Sequence, residues 1–411
     1  ASADGYLVEY SAAFNDPRSP FSSTTANAAL ALQRVNQAPS AVLPIGGKAL
    51  LDLGDNTIEA AYSIVTQSDG KILVAGSTNA QPAGGTGTST NYGIVRLNAD
   101  GTLDTSFGDT SATGSSQRTG KVLLDLGSNS SDFAYSMVTQ GDGKILVAGS
   151  TDAQPAGGTG SYNNYGIVRL NADGTLDTSF GDKSASSSSQ RTGKVLLDFG
   201  YNSGDFAYSI VTQSDGKILV AGSTSAGSSY NYGIVRLNAD GTLDASFGDV
   251  SANSSGQRTG KVLLDLGTNS IDYAYSMATQ SDDGKILIAG GTNANPAGGT
   301  ANTNNFSYGI VRLTTDGTLD TSFGDASATN SSQRTGKVLL DLGTNSYDNA
   351  NSIVTQSDGK ILIAGYTDAQ PAGGTANTNK LNYGIVRLKA DGTLDTSFGD
   401  ASATNSSQRT G

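Results

Sequence analysis

The chain has 411 residues and a net charge of −12, with no cysteine, histidine or tryptophan. These absences exclude disulfide staples, thiolate chemistry, covalent c-type haem and a Ser-His-Asp triad, and they argue against ordinary zinc and haem sites. The acidic balance argues against nucleic acid and anionic membranes as partners, and 54 glycines with only 36% hydrophobic residues favour short strands joined by turns.

Residues 1–46 differ from the rest. Gly5–Asp16 contains a short strand candidate at Tyr6–Tyr10, after which Asp16-Pro17 and Ser19-Pro20 break the chain. Ala26–Val35 suits a short helix or a strand equally well. No run approaches the ~18 apolar residues needed to span a bilayer, so no membrane insertion is expected. The Ser/Thr/Gly/Asn-rich, Lys-poor composition points to a secreted or cell-surface protein; the start at Ala1 without an initiator methionine suits signal cleavage after small residues and suits a sequence that simply begins there equally well.

From Gly47 onward the chain repeats itself. SDGKILVAG at Ser68–Gly76 returns at Gly141–Gly149, Ser214–Gly222, Asp282–Gly290 and Ser357–Gly365, with small changes. The repeats run 47–119, 120–192, 193–259, 260–335 and 336–411. Each unit reads as four strands. Strand a is Gly120–Leu126 in the second unit, with Val122, Leu124 and Leu126 on one face. Strand b, Ala134–Gln140, has mixed alternation. An Asp-Gly turn then leads into strand c, Lys144–Gly149, an apolar run that predicts burial on both faces. A Gly-rich c–d loop of variable length precedes strand d, Tyr165–Leu170. The chain then passes through NADGTLDTSFGD and a Ser/Thr-rich connector.

A four-stranded antiparallel sheet with two apolar faces must stack on its neighbours. The predicted fold is therefore all-β: five four-stranded antiparallel blades in a β-propeller over 47–411, with a short N-terminal extension at 1–46. A β-solenoid competes, but Asp-Gly hairpins oppose parallel coils. The string DGKILVAG…YGIVRLNADGTLDTSFGD resembles the bacterial delta-60 repeat, a β-propeller family, in register across all five units. The resemblance implies a large secreted or surface protein without assigned catalytic residues. These units are longer than is usual for that family, the excess lying in the c–d loop and the connector.

Five features are candidates for chemistry. NADGTLD at Asn98–Asp104 has calcium-like oxygen spacing, but Asn98 becomes Lys389 in the last unit, which favours a plain turn. Carboxylate pairs for glycoside hydrolysis would need an acid in an unusual setting, whereas every aspartate recurs; Glu59 is unique to the first unit. The recurring Arg96, Arg169, Arg236, Arg312 and Arg387 suit pairing with a nearby Asp, such as that of GTLD, and stem packing on the next blade. The c–d loops carry Tyr162, Tyr230 and Phe306 near their ends, which suits stacking on surface glycans. Finally, Tyr6, Leu7, Val8, Glu9 and Tyr10 resemble strand d and supply an extra strand for closing the ring or for adding to a second copy.

The sequence thus leads to the expectation of a non-enzymatic secreted structural protein without a cofactor. It would be a homo-oligomer or polymer, a self-assembling subunit of a filament, sheath or surface layer formed by strand exchange. A glycan-binding or adhesin propeller is the alternative.

Overall fold

The computed structural model describes residues 47–400, apart from 84, 86, 111–116, 157, 159–161, 185–186, 201–202, 228, 253–255, 281–282, 296–304, 328–332, 344–345 and 371–379. The candidate strand Tyr6–Tyr10 and the segment Ala26–Val35 lie outside the described residues. All regular elements described are strands, and all fall within the unit Asp52–Gly411.

The first sheet is β1 (Glu59–Thr66), β2 (Ile72–Thr78), β3 (Asn91–Leu97) and β4 (Lys121–Leu124), paired in that order. The second is β5 (Asp132–Thr139), β6 (Ile145–Thr151), β7 (Asn164–Leu170) and β10 (Lys194–Leu197); between its last two strands lies a small hairpin, β8 (Lys183–Ser184) with β9 (Ser187–Arg191). The third comprises β11 (Asp205–Thr212), β12 (Ile218–Thr224), β13 (Asn231–Leu237) and β14 (Lys261–Leu264). The fourth comprises β15 (Asp272–Thr279), β16 (Ile286–Thr292), β17 (Ser307–Leu313) and β18 (Lys337–Leu340). The fifth has β19 (Asp348–Thr355), β20 (Ile361–Thr367) and β21 (Asn382–Leu388), with no fourth strand among the described residues. All pairings are antiparallel, as hairpin turns require and a solenoid of parallel coils does not allow.

One expectation about phase is corrected. Strand a does not begin its own unit's sheet. It pairs with strand d of the unit before it: Lys194–Leu197 runs against Tyr165–Val168. The SFGD segment brings it there. Gly193 donates its N–H to the Phe180 carbonyl at 2.8 Å, and the Lys194 carbonyl accepts from Asp182 at 2.7 Å.

The Asp-Gly turn forms as its residues demand. Gln140 N–H bonds the Lys144 carbonyl at 2.8 Å, and Gly143 takes φ 83°, a region glycine enters freely. Strand β6 that follows is buried along its whole length. Ile145 and Val147 pack toward the first sheet, Leu146 and Ala148 toward the third. Among the described residues there are four such clusters, one between each pair of successive sheets. Each fully buried Leu, Ile or Val contributes about 1.5–3 kcal/mol.

A repeated set of polar contacts fastens each sheet to the next. The buried tyrosine of strand d donates its hydroxyl to a strand-d glycine carbonyl one sheet on: Tyr92 to Gly166, Tyr165 to Gly233, Tyr232 to Gly309 and Tyr308 to Gly384, at 2.8–2.9 Å. The strand-b serine accepts an N–H from the next strand b, as Ser63 does from Met137 at 3.1 Å. The end of each of the first four c–d loops also reaches across, with Asp205 N–H bonding the Asn163 carbonyl at 2.8 Å.

Candidate functional site

Strand b departs from regular alternation because it carries a β-bulge. The register steps from Ala134↔Gly149 to Ser136↔Ala148, so Tyr135 has no partner. The same shift leaves Tyr62, Tyr208 and Tyr275 unpaired in their sheets, and Asn351 in the fifth. A bulge re-aims the extra side chain and increases local twist. Here it brings one tyrosine from each of four sheets into a row. Tyr62–Tyr135, Tyr135–Tyr208 and Tyr208–Tyr275 have ring centroids 5.2–5.4 Å apart.

The row widens at the residue two places earlier in strand b. Phe133 lies parallel to Tyr135, Phe206 to Tyr208, and Tyr273 stacks on Tyr275, at 6.1–6.2 Å. Two of the loop aromatics singled out from the sequence join it: Tyr230 lies 5.3 Å and Phe306 5.8 Å from Tyr273. Phe306 continues to Tyr347 and Tyr347 to Tyr366. The third, Tyr162, stays exposed in its own loop, its carbonyl held by Gln154 Nε2. The rings are mostly half-buried, with Tyr62 exposed at the first sheet. Burial pushes the hydroxyls of Tyr135, Tyr208 and Tyr275 up, Tyr275 to about 12, so all three remain neutral donors at physiological pH. Sequence reasoning passed over the bulge tyrosines, although the repeated AYS was their signal.

The other candidates resolve differently. Arg169 Nε donates to Asp177 Oδ2 at 2.7 Å, its Nη1 donates to the Ala239 carbonyl of the next sheet, and its guanidinium lies 4.5 Å over Phe180. The pairing inferred from the sequence is therefore what the structure holds. In the NADGTLD segment Asn98 N–H bonds the Thr102 carbonyl at 2.8 Å, and Asp100 Oδ1 accepts from Thr102 N–H at 3.0 Å. Asp104 is committed to Arg96 at 2.7 Å and Lys71 at 3.3 Å. The segment is a turn whose carboxylates already have partners.

The aspartate that opens strand b is fully buried in the second to fifth sheets, and Glu59 occupies its place in the first. Glu59 is thus the counterpart of those aspartates, not an isolated change. Burial pushes Asp132 and Asp205 up to about 6, against the hydrogen bonds they accept from Thr151, Leu126 N–H and Ser130, and from Phe199 N–H and Ser203. Asp272 and Asp348 are pushed up by burial as well, so this setting recurs through the repeats. Among the described residues no group of three or more His, Cys, Asp or Glu side chains could hold a metal ion.

Comparison with solved structures finds an exo-β-1,3-galactanase from Clostridium thermocellum at 12% identity and a TM-score of 0.37, covering 85% of this chain and 63% of that one. It also finds a PL25 ulvan lyase (10%, TM-score 0.38, 80% of this chain and 68% of that one) and the β-fructofuranosidase of Bombyx mori (14%, TM-score 0.33, 74% and 55%). The chain thus spans less than two thirds of the galactanase's length. These neighbours are carbohydrate-processing enzymes, in contrast to the expected non-enzymatic structural subunit; a likeness at these TM-scores carries no activity over to this chain. Neither the exclusion of an enzyme nor the filament, sheath or surface-layer role is retained. No curated protein matches the sequence. A family model described as "Domain of unknown function (DUF5122) beta-propeller" matches residues 67–107, 140–180, 213–247, 282–323 and 356–398, spanning the b–c turn to the SFGD segment in all five repeats. The chain belongs to this family of β-propeller repeats, the delta-60 type.

Proposed function

We propose that the chain is an extracellular carbohydrate-binding protein whose five sheets are blades of a β-propeller, and that the aromatic row is its binding surface. The observation that carries this reading is the unbroken run of ring contacts from Tyr62 to Tyr366. Aromatic rings offer flat apolar area with a polar handle, which suits the C–H faces of sugar rings and their hydroxyls together. A row suits a polymer better than a single sugar, because successive rings engage successive residues. The net charge of −12 repels polyanions, and the recurring guanidiniums are already paired with aspartates. The favoured ligand is therefore a neutral polysaccharide.

The test is affinity electrophoresis through gels containing neutral, uronic-acid or sulfated polysaccharides. Retardation is expected with a neutral polymer, and Tyr208→Ala and Tyr275→Ala should each weaken it by about tenfold, equivalent to about 1.4 kcal/mol. Reducing-end release from the retarding polymer, measured in parallel, identifies a protein that cleaves what it binds. Retardation unchanged in both variants would remove the aromatic row from the reading.

A further inference from the structure

Among the described residues the first and fifth sheets each leave one face uncovered, and the two faces are the two halves of a contact that the protein makes four times internally. On the fifth sheet Tyr383 is 93% and Ile385 56% exposed, whereas their counterparts Tyr308 and Ile310 are fully buried against the following sheet. A groove of about 440 Å³ runs along this face, lined in part by Leu342, Thr367, Tyr383 and Ile385. On the first sheet Ile64 is 69% exposed, whereas its counterpart Met137 is 5% exposed because it packs on the sheet before it.

The polar groups match as well. At each internal contact a strand-d tyrosine hydroxyl meets a glycine carbonyl, and a strand-b serine accepts the N–H of the next strand b. Tyr383 and Ser352 present the first half of this pattern. The Gly93 carbonyl and the Ile64 N–H present the second half. We propose that the free face of the fifth sheet binds the free face of the first sheet in a second copy of this chain, reproducing the internal contact head to tail. The occupant follows from complementarity: a face that accepts one of these sheets internally has the shape and hydrogen-bonding groups to accept the same sheet from another molecule. Ile64, Ile385, Tyr383 and Ser352 are not among the rings of the aromatic row, so variants at Ile64 and Ile385 test assembly and variants at Tyr208 and Tyr275 test carbohydrate binding.

Light scattering coupled to size exclusion tests it on the whole chain and on two variants, Ile64→Glu and Ile385→Glu. Both positions are exposed, so neither change disturbs a core. The wild type is expected to increase in mass between about 1 and 100 µM, the range in which modest protein contacts form. Each variant alone should remain a monomer. An equimolar mixture should give a dimer and nothing larger, because each variant keeps the half that the other has lost. A wild-type mass fixed at one monomer across that range overturns the proposal, whether the faces stay free or close on each other within one chain. Variants that assemble as the wild type does would also overturn it.

Discussion

Two sets of aspartates sit on opposite sides of the ordinary carboxylate range, and both recur through the repeats. Burial raises Asp132 and Asp205 to about 6. Asp177 and Asp320 are also pushed up by burial, but hydrogen bonds from Ser179 and Ser322 and the charges of Arg169 and Arg312 outweigh it and hold both at about 2. An unfolded aspartate titrates near ~3.9. For the first set the folded value lies above the unfolded one, so their contribution to stability is complete below about pH 4 and is lost as pH rises through 6. For the second set the order is reversed. Their contribution is present above about pH 4 and is lost as pH falls toward 2. The expected outcome is a midpoint of thermal unfolding that rises between pH 7 and about 4.5 and falls again below about pH 3. Calorimetry across that range checks it. Asp132→Asn should reduce the rise in part, since Asp205, Asp272 and Asp348 are raised as well, and should leave the acid limb in place. A midpoint that declines steadily from pH 7 downward would contradict this division.

At the scale of the element, the bulge in strand b depends on a glycine in strand c. A Cβ on Gly149 would sit 1.8 Å from the Phe133 carbonyl oxygen and 2.8 Å from the Tyr92 hydroxyl. The same close approach to a strand-b carbonyl recurs at Gly76, Gly222, Gly290 and Gly365. Gly149→Ala must therefore displace backbone at the bulge and the tyrosine arriving from the first sheet. The expected loss is about 3 kcal/mol or more, in the range of severe single substitutions, read from the urea midpoint. Gly141→Ala serves as the control: no atom lies within 4 Å of its Cβ, and the change should be neutral or slightly stabilising. The KILVAG strand, the turn before it and its two-sided burial were legible in the sequence because each rests on local pattern. The mixed alternation of strand b was legible too, but not its cause, since a bulge is defined by the partner strand. The phase of strand a was hidden for a related reason. A repeat has the same period wherever it is cut, and only the pairing of Lys194–Leu197 with Tyr165–Val168 shows where one sheet ends.

At the scale of the whole molecule, the same locality explains why the aromatic row went unread. Tyr62, Tyr135, Tyr208 and Tyr275 are far apart in sequence and become neighbours only when successive sheets stack. Tyr230 and Phe306 attracted notice because they close loops of variable length, and they proved to be the edge of a larger surface. Stacked repeats also distribute stability unevenly. In such arrays stability is close to a sum of repeat terms and nearest-neighbour interface terms. Among the described residues the second, third and fourth sheets have two such interfaces, and the first and fifth have one. Hydrogen exchange at submicromolar concentration should therefore show the slowest amides in Asp205–Thr212 and Ile218–Thr224, at the centre of the stack. Amides of Glu59–Thr66 and Asn382–Leu388 should exchange fastest, because among the described residues no sheet neighbours their outer faces and opening there breaks one interface instead of two. Raising the concentration to about 100 µM should slow both terminal strands together if a second copy covers them, since one contact protects both halves at once. It should leave the central strands unchanged. Equal protection across all five sheets would instead mean that the chain opens as a single unit, and the additive description would then fail.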